Sequence, residues 1–171
     1  HPTSRVCQVK IPEVQAINVV VPGESRDYKQ AGQAIQTCMH IPNAVIHLDD
    51  SNPSRYQHFE TLAKSMNVNI KPVRWHVDNT AYLSQLAQHD VALMMYNQDV
   101  PLSGSLIDSL RCGLLVGCST TASFTQFADM YRCVLCDSDT RSLGDAVSQA
   151  IKKPIMLQQM SWHADNYFEL S

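Results

Sequence analysis

The sequence predicts an α/β protein with a Rossmann-like, three-layer αβα architecture and a parallel sheet of about six strands. Short apolar or β-branched runs alternate with longer segments of helical periodicity, which is the pattern of βαβ units. Several of the short runs are apolar on both faces, as expected of strands that helices cover on each side. A chain of 171 residues is long enough for one domain with a substantial core.

Six short runs are predicted to be strands because they are apolar and rich in β-branched residues: residues 17–21, 44–48, 68–73, 91–96, 114–117 and 133–136. Six segments with helical spacing follow them in turn: residues 26–39, 54–66, 80–88, 105–111, 123–130 and 141–152. Local signals mark several helix ends. Asn52, Pro53 and Ser54 introduce the second helix, and Gly113 ends the fourth. Cap side chains for the third helix are offered by Asp78, Asn79 and Thr80.

The Rossmann-like domain is predicted to comprise residues 15–154, with a different segment at each end. Residues 1–14 contain Pro2 and Pro12 and little periodicity, which predicts a linker. Residues 155–171 are predicted to form a helix with an apolar stripe, packed either on this domain or on a domain that is absent from the chain. The chain does not begin with Met, which suggests that it was cut from a longer protein.

Composition narrows the classes of partner. The formal net charge is −3, and no excess of Lys and Arg favours a nucleic-acid partner. The apolar runs are far too short to cross a hydrocarbon core of about 30 Å, and the first residues lack the apolar core of a secretory signal. We therefore expect a cytoplasmic protein.

The cysteines and histidines give little support for a metal or redox site. Most of the six cysteines lie in or beside apolar segments and are predicted to be reduced. Cys133 and Cys136 form a C-x-x-C pair, but on a predicted strand, where burial as small hydrophobic residues is favoured over zinc or redox chemistry. The seven histidines share no ligand spacing, so no metal is predicted.

The loops that follow the strands are the expected binding region, because ligands of open parallel sheets bind beyond the carboxyl ends of the strands. After the first strand, a turn with Gly23 leads into a predicted helix that contains Arg26 and Lys29. Residues three apart share one face of a helix, so both cations could reach a diphosphate. The alternative is an ordinary solvated helix face.

The turn after the fourth strand enters a helix through small residues. Ser103, Gly104 and Ser105 would let backbone N–H groups approach an anion, and the helix dipole favours negative charge there. Asp108 lies one turn into this helix, where its carboxylate could accept hydrogen bonds from a ribose diol. The alternative is that the serines cap the helix and Asp108 only interacts favourably with its dipole.

The order of several segments is distinctive: Asp78-Asn79 before a helix, then residues 86–93, then Ser103-Gly104 with Asp108, then residues 112–116, all preceded by the turn with Pro22-Gly23, Arg26 and Lys29. This order resembles the C-terminal, donor-binding domain of retaining glycosyltransferases of the GT-B architecture, of the family 4 type. The resemblance implies binding of a nucleoside-diphosphate sugar as donor substrate, without a further cofactor.

The resemblance also implies roles for the candidate residues: the diphosphate would be bound by Arg26, Lys29, Ser103, Gly104 and Ser105, and the ribose by Asp108. These groups would stabilise the charge on the departing nucleoside diphosphate while the sugar is transferred to a glycan or another acceptor. A missing N-terminal domain would bind the acceptor and mediate any association with a membrane surface. The isolated chain is expected to be inactive.

Two positions depart from the family pattern. Val100 stands where the family has a glutamate that contacts the donor sugar, and the adjacent Asp99 is not assumed to replace it. Glu24 stands where the family has an arginine. The resemblance further places Trp75 and His76 near the nucleotide base, with a stacking role. Two alternatives stay open: a non-catalytic nucleotide- or partner-binding domain of the same fold, and a fragment of a sugar-nucleotide epimerase.

Overall fold

Six parallel strands form one sheet within residues 15–153, the part of the chain that the computed structural model describes. The strands are β1 (Ile17–Val20), β2 (Ala44–Asp49), β3 (Asn69–Val73), β4 (Val91–Met94), β5 (Leu115–Cys118) and β6 (Val134–Cys136). Their order across the sheet is β3-β2-β1-β4-β5-β6, and every pairing is parallel. The predicted fold class is confirmed. The predicted linker at residues 1–14 and helix at residues 155–171 lie outside the described residues.

Helices cover both faces of the sheet. They are α1 (Ala31–Cys38), α2 (Pro53–Ser65), α3 (Asn79–Leu86), α4 (Gly104–Arg111), α5 (Ala122–Met130) and α6 (Thr140–Ile151). Helix α1 contacts α2 and α6 on one face, and α3 contacts α4 on the other, where right-handed crossovers also place α5. Within residues 15–153, no helix combines the length and the apolar character needed to cross a bilayer.

Side-chain caps begin five of the described α-helices. In each, an Asn, Asp, Ser or Thr oxygen accepts the backbone N–H three residues later, and the capping residues are Asn52, Asp78, Ser103, Thr121 and Asp139. Each cap satisfies one N–H group that has no acceptor inside its helix. Because such caps are local, the sequence predicts these helix starts to within a few residues.

The first predicted helix is wrong over its first third. Residues Asp27–Lys29 form a single 3-10 turn, and helix α1 begins only at Ala31. Gln30 separates them with a left-handed backbone conformation (φ 49°), which a helix cannot contain. The backbone N–H of Lys29 donates to Arg26 and that of Gln30 to Asp27, so these bonds close a tight turn instead of an α-helix.

Burial is deepest in the middle of the sheet, where every residue of β4 and β5 is buried. The predicted burial is confirmed for Cys133, where it raises the pKa of the thiol to about 11, whereas Cys136 is only partly buried. Cys136 pairs in register with Cys118 on β5, and its thiol donates to the Ser119 carbonyl oxygen at 3.1 Å. The described cysteines are free thiols, so this part of the sheet is held by packing.

Helices α1 and α6 approach closely at Gly144, which generates a stability prediction. A Cβ atom at this position would lie 2.6 Å from the Thr37 carbonyl oxygen and 2.6 Å from the His40 Cβ. A backbone carbonyl cannot rotate away, so we expect Gly144→Ala to lower the free energy of unfolding by about 1–3 kcal/mol in urea denaturation.

The matched control for Gly144→Ala is Gly32→Ala in α1. The added Cβ would lie 3.5 Å from Leu62 Cδ2, which is an ordinary contact distance. Replacing a helical glycine by alanine then raises the free energy of unfolding by roughly 0.5–1 kcal/mol. Equal effects of the two substitutions would contradict the close approach of α1 and α6.

Candidate functional site

The candidate site lies where the order of the strands across the sheet reverses: β2 and β3 lie on one side of β1, and β4, β5 and β6 lie on the other. Strand β1 pairs with β2 on one side and with β4 on the other. The chain leaves β1 toward α1 on one face and leaves β4 toward α4 on the opposite face. Such a divergence opens a crevice at the carboxyl ends of the strands, the usual ligand position in open parallel sheets.

The turn after β1 meets the start of α4 in this crevice. Gly23 has a positive φ of 77°, which favours glycine. A Cβ atom at Gly23 would lie 3.1 Å from Lys29 Nζ and 3.8 Å from Ser105 Oγ. The structure therefore brings three predicted elements together: the Gly23 turn, Lys29 and the first residues of α4.

Lys29 is buried with its charged end at the crevice. It is 6% exposed, and its Nζ donates a hydrogen bond of 2.8 Å to the Pro22 carbonyl oxygen. Burial is the main cause that lowers the pKa of Lys29 to about 8, and the neighbouring charge of Arg26 adds to it. The carboxylates of Glu24 and Asp49 act in the opposite direction. Lys29 is thus a cation with little solvent to stabilise it.

Arg26 does not share a helix face with Lys29, because it precedes the 3-10 turn in an extended conformation. Its guanidinium pairs with Glu24 at 2.7 Å, and both side chains are more than half exposed. This exposed pair fits the alternative of a solvated surface better than the prediction that Arg26 and Lys29 bind a diphosphate side by side. Its charge nevertheless acts on the Lys29 ammonium, so Arg26 belongs to the rim of the crevice.

The start of α4 combines a cap with an open backbone. Ser103 is buried, and its Oγ accepts the N–H of Leu106 at 3.3 Å, as the capping alternative expects. Gly104 is exposed, and a Cβ atom there would meet nothing within 4 Å. The N–H groups of the first helical residues have no acceptor inside the helix. One serine is therefore structural, while the backbone at Gly104 and Ser105 is free to approach a ligand.

Two tyrosines that the sequence analysis did not single out surround this helix start. Burial raises the pKa of Tyr96, at the end of β4, against the opposing effect of hydrogen bonding to Ser103 and Ser105. Tyr82 on α3 also has Ser105 as a hydrogen-bonding neighbour. The Tyr96 ring meets the Tyr28 ring edge-on at 5.1 Å. These rings come from distant parts of the chain, so only a position at a strand end could have indicated Tyr96.

Asp108 lies on the side of α4 that faces α3. It shares this side with Ser105 and Cys112, and the Cys112 thiol donates to the Leu83 carbonyl oxygen at 3.5 Å. Asp108 is half-buried; burial raises the pKa of its carboxyl group, and the charge of Arg111 acts against the rise. Asp108 is therefore one helical turn beyond the residues that meet the Gly23 turn.

The position of the missing family glutamate carries no carboxylate. Val100 packs against the hydrophobic core. The Asp99 carboxylate accepts the backbone N–H of Ser123 at 3.0 Å, which lowers the pKa of Asp99. Asp99 thus stabilises the start of α5, and the structure gives it a role other than replacement of the glutamate.

Trp75 and His76 differ in their surroundings. The Trp75 ring packs against Tyr82 at 5.0 Å and against His89 at 6.2 Å, and within residues 15–153 its buried indole N–H has no hydrogen-bond acceptor. His76 is exposed, and its backbone N–H donates to the Gln85 side chain. Across the same residues, no three His, Cys, Asp or Glu side chains cluster in a way that could hold a metal ion.

The chain is similar in structure to solved glycosyltransferases. HepE from Anabaena, solved with UDP-glucose, matches with a TM-score of 0.74 at 10% identity, over 90% of this chain and 44% of that one. Sucrose-phosphate synthase from Thermosynechococcus elongatus matches with a TM-score of 0.72 at 15% identity, over 92% of this chain and 41% of that one. The catalytic domain of cholesterol-α-glucosyltransferase from Helicobacter pylori matches with a TM-score of 0.69 at 12% identity, over 88% of this chain and 97% of that one.

These similarities concern the fold. No family model and no curated protein sequence matches the chain. At 10–15% identity, the solved structures show that the chain has the fold of a GT-B glycosyltransferase domain, so the predicted resemblance is confirmed at that level. The chain spans less than half the length of HepE and of sucrose-phosphate synthase.

The burial of Lys29 predicts a pH dependence of stability. The pKa of Lys29 is lowered from its ordinary 10.5 to about 8, so between these values the unfolded chain binds a proton that the folded chain has released. The contribution of this residue to the free energy of unfolding therefore rises with pH from about 8 to 10.5. We expect Lys29→Met to lack this rise with pH. At pH 7 the free energy of unfolding of this variant should exceed that of the wild type by about 1–2 kcal/mol, once the lost hydrogen bond to Pro22 is subtracted.

Chemical denaturation of both proteins at pH 7, 9 and 10.5 checks this expectation. Lys64→Met provides the control, because Lys64 is an exposed lysine paired with Glu60 at 3.7 Å. Such surface pairs contribute about 0–1 kcal/mol, and Lys64→Met should keep the pH dependence of the wild type. A Lys29→Met variant that follows the wild type at all three pH values would show that Lys29 is not desolvated.

Proposed function

We propose that this chain is the donor-binding domain of a glycosyltransferase and binds a nucleoside-diphosphate sugar in the crevice between β1 and β4. The observation that carries the proposal is the buried Lys29 ammonium beside Gly23 and the start of α4. The fold likeness to HepE, which was solved with UDP-glucose, supports a nucleotide sugar as the ligand.

The diphosphate would lie between the Gly23 turn and the start of α4. A desolvated ammonium interacts strongly with an anion, because little water screens the two charges. Backbone N–H groups of Gly104 and Ser105, together with the helix dipole, would donate to the phosphate oxygens from the other side. Arg26 would add its charge from the rim after release from Glu24.

Asp108 would accept hydrogen bonds from the ribose hydroxyl groups. It lies one turn further along α4 than the proposed phosphate donors, so a nucleoside that extends along α4 from its phosphates would bring its ribose to this carboxylate. The partial burial of this carboxylate makes hydrogen bonds to it more valuable than on an open surface.

In transfer, this domain would stabilise the leaving nucleoside diphosphate. Negative charge develops on the diphosphate as its bond to the sugar breaks, and Lys29 and the α4 N-terminus would stabilise this charge electrostatically. A further N-terminal domain of the parent protein would bind the acceptor, so the isolated chain would bind nucleotide without catalysis. The parent protein would act in the cytoplasm, in the synthesis of a glycan or polysaccharide.

A second candidate is a non-catalytic nucleotide-binding domain of the same fold. It is favoured by the absence of a carboxylate at Val100 and by the capping role of Asp99 at α5. Equal affinity for a nucleoside diphosphate and for its sugar conjugate would favour this candidate, whereas tighter binding of the sugar conjugate would favour the transferase.

Calorimetric titration with UDP, GDP and ADP tests the proposed function. We expect one of the three to bind, and Asp108→Ala to weaken its binding by about 1–3 kcal/mol through the lost hydrogen bonds to the ribose. Asp145→Ala is the control, because Asp145 is exposed on α6 on the far face of the sheet. An Asp108→Ala variant with wild-type affinity would contradict the ribose assignment, and no binding of any nucleotide would contradict the function.

A further inference from the structure

The turn after β1 is held in place from the side of β2 and α2. Asp49, at the end of β2, is 6% exposed, and its Oδ2 accepts the backbone N–H of Ser25 at 3.1 Å. The same oxygen accepts the Ser51 hydroxyl at 2.6 Å, and Oδ1 accepts the Ser51 N–H at 3.3 Å. A buried carboxylate persists only where hydrogen bonds satisfy its oxygens. The contact between Asp49 and Ser25 is therefore a fixed part of the fold.

Arg55 holds the same turn from the first turn of α2. Its Nη1 donates to the Ser25 carbonyl oxygen at 3.1 Å, and its Nη2 pairs with Asp27 Oδ1 at 3.0 Å. The position of Arg55 is set locally, because its backbone N–H donates to the capping side chain of Asn52. The backbone N–H and C=O of Ser25 are thus both bound by side chains from the neighbouring elements.

Ser25 lies between the two parts of the turn that form the crevice. Gly23, two residues before it, passes beside Lys29 Nζ and Ser105. Lys29, four residues after it, returns to hydrogen-bond Pro22. A shift of Ser25 would move both parts, because the intervening segment is short. The geometry of the Gly23–Lys29 contact consequently depends on the contacts of Asp49 and Arg55.

Asp49 also acts on Lys29 through its charge. The carboxylate raises the pKa of Lys29, in opposition to burial and to the neighbouring Arg26. Glu24 acts in the same direction but is exposed and paired with Arg26. Glu24 and Asp49 therefore both favour the charged form of Lys29, and Asp49 is the buried one of the two.

We propose that Asp49 and Arg55 are positioning residues of the nucleotide site: they hold the turn after β1 in the conformation that presents Gly23 and Lys29 to a diphosphate. This inference rests on the proposed function, and neither residue is assigned contact with the nucleotide.

The experiment compares Asp49→Asn, Arg55→Gln and Asp50→Asn in the full 171-residue chain. Asp50 is the matched control, because the hydrogen-bonded partner of this neighbouring carboxylate is Arg74, at 2.8 Å, which lies outside the turn. Arg55→Gln provides a second test in case Asp49→Asn does not fold. Arg55 is partly exposed, and Asp49 keeps its hydrogen bonds to Ser25 and Ser51 when Arg55 is replaced. Circular dichroism establishes that each variant is folded before its binding is compared.

Two readouts separate positioning from a purely structural role. Calorimetry with UDP, or with the tightest of UDP, GDP and ADP, measures affinity from pH 6 to 9, and NMR follows the titration of the Lys29 side chain in the free protein. We expect Asp49→Asn and Arg55→Gln each to weaken binding about tenfold, equivalent to about 1.4 kcal/mol. In Asp49→Asn, the pKa of Lys29 should be lower, because the negative charge of Asp49 no longer stabilises the ammonium group. The pH at which nucleotide binding is lost should be lower as well.

The outcomes distinguish failure of this inference from failure of the proposed function. Wild-type protein that binds no nucleoside diphosphate overturns both. Wild-type binding that folded Asp49→Asn and Arg55→Gln retain, with an unchanged Lys29 titration, overturns the positioning role alone. Weaker binding of these two variants with unchanged binding of Asp50→Asn supports it.

Discussion

The central position of β1 is the constraint on which the site depends. Because β1 pairs with β2 on one side and with β4 on the other, the chain leaves the adjacent strands β1 and β4 toward opposite faces of the sheet. The helices α1 and α4, which follow β1 and β4, therefore diverge from the carboxyl ends of these two strands. The Gly23 turn and the start of α4 meet in the space that remains, and groups far apart in the sequence become neighbours there.

The electrostatics of Lys29 support the proposal that this crevice binds an anion. Lys29 loses solvation on folding and has the Pro22 carbonyl as its hydrogen-bond acceptor among the described residues. The arrangement opposes folding, since a buried ammonium is less stable than a hydrated one. An anion bound beside Lys29 would restore the lost stabilisation. The Glu24 and Asp49 carboxylates, which raise the pKa of Lys29, reduce this free-energy cost in the free protein.

The parts that were predictable from the sequence are the local ones. Strands were recognisable from apolar runs, and helix starts from caps such as Asn52 and Asp78, because both signals act over a few residues. The first helix was mispredicted at Gln30, since its left-handed conformation accompanies the return of Lys29 to Pro22. The periodicity of the segment gives no sign of that tertiary contact.

The sequence by itself determined the fold class, the two loops of the candidate site and the small residues at the start of α4. Tertiary structure alone decided how these groups are used: Lys29 is buried, whereas Arg26 is exposed with Glu24. The same holds for Asp49, whose contact with Ser25 joins residues 24 positions apart. Periodicity and caps are properties of neighbouring residues, whereas burial and charge interactions depend on which distant segments fold against each other.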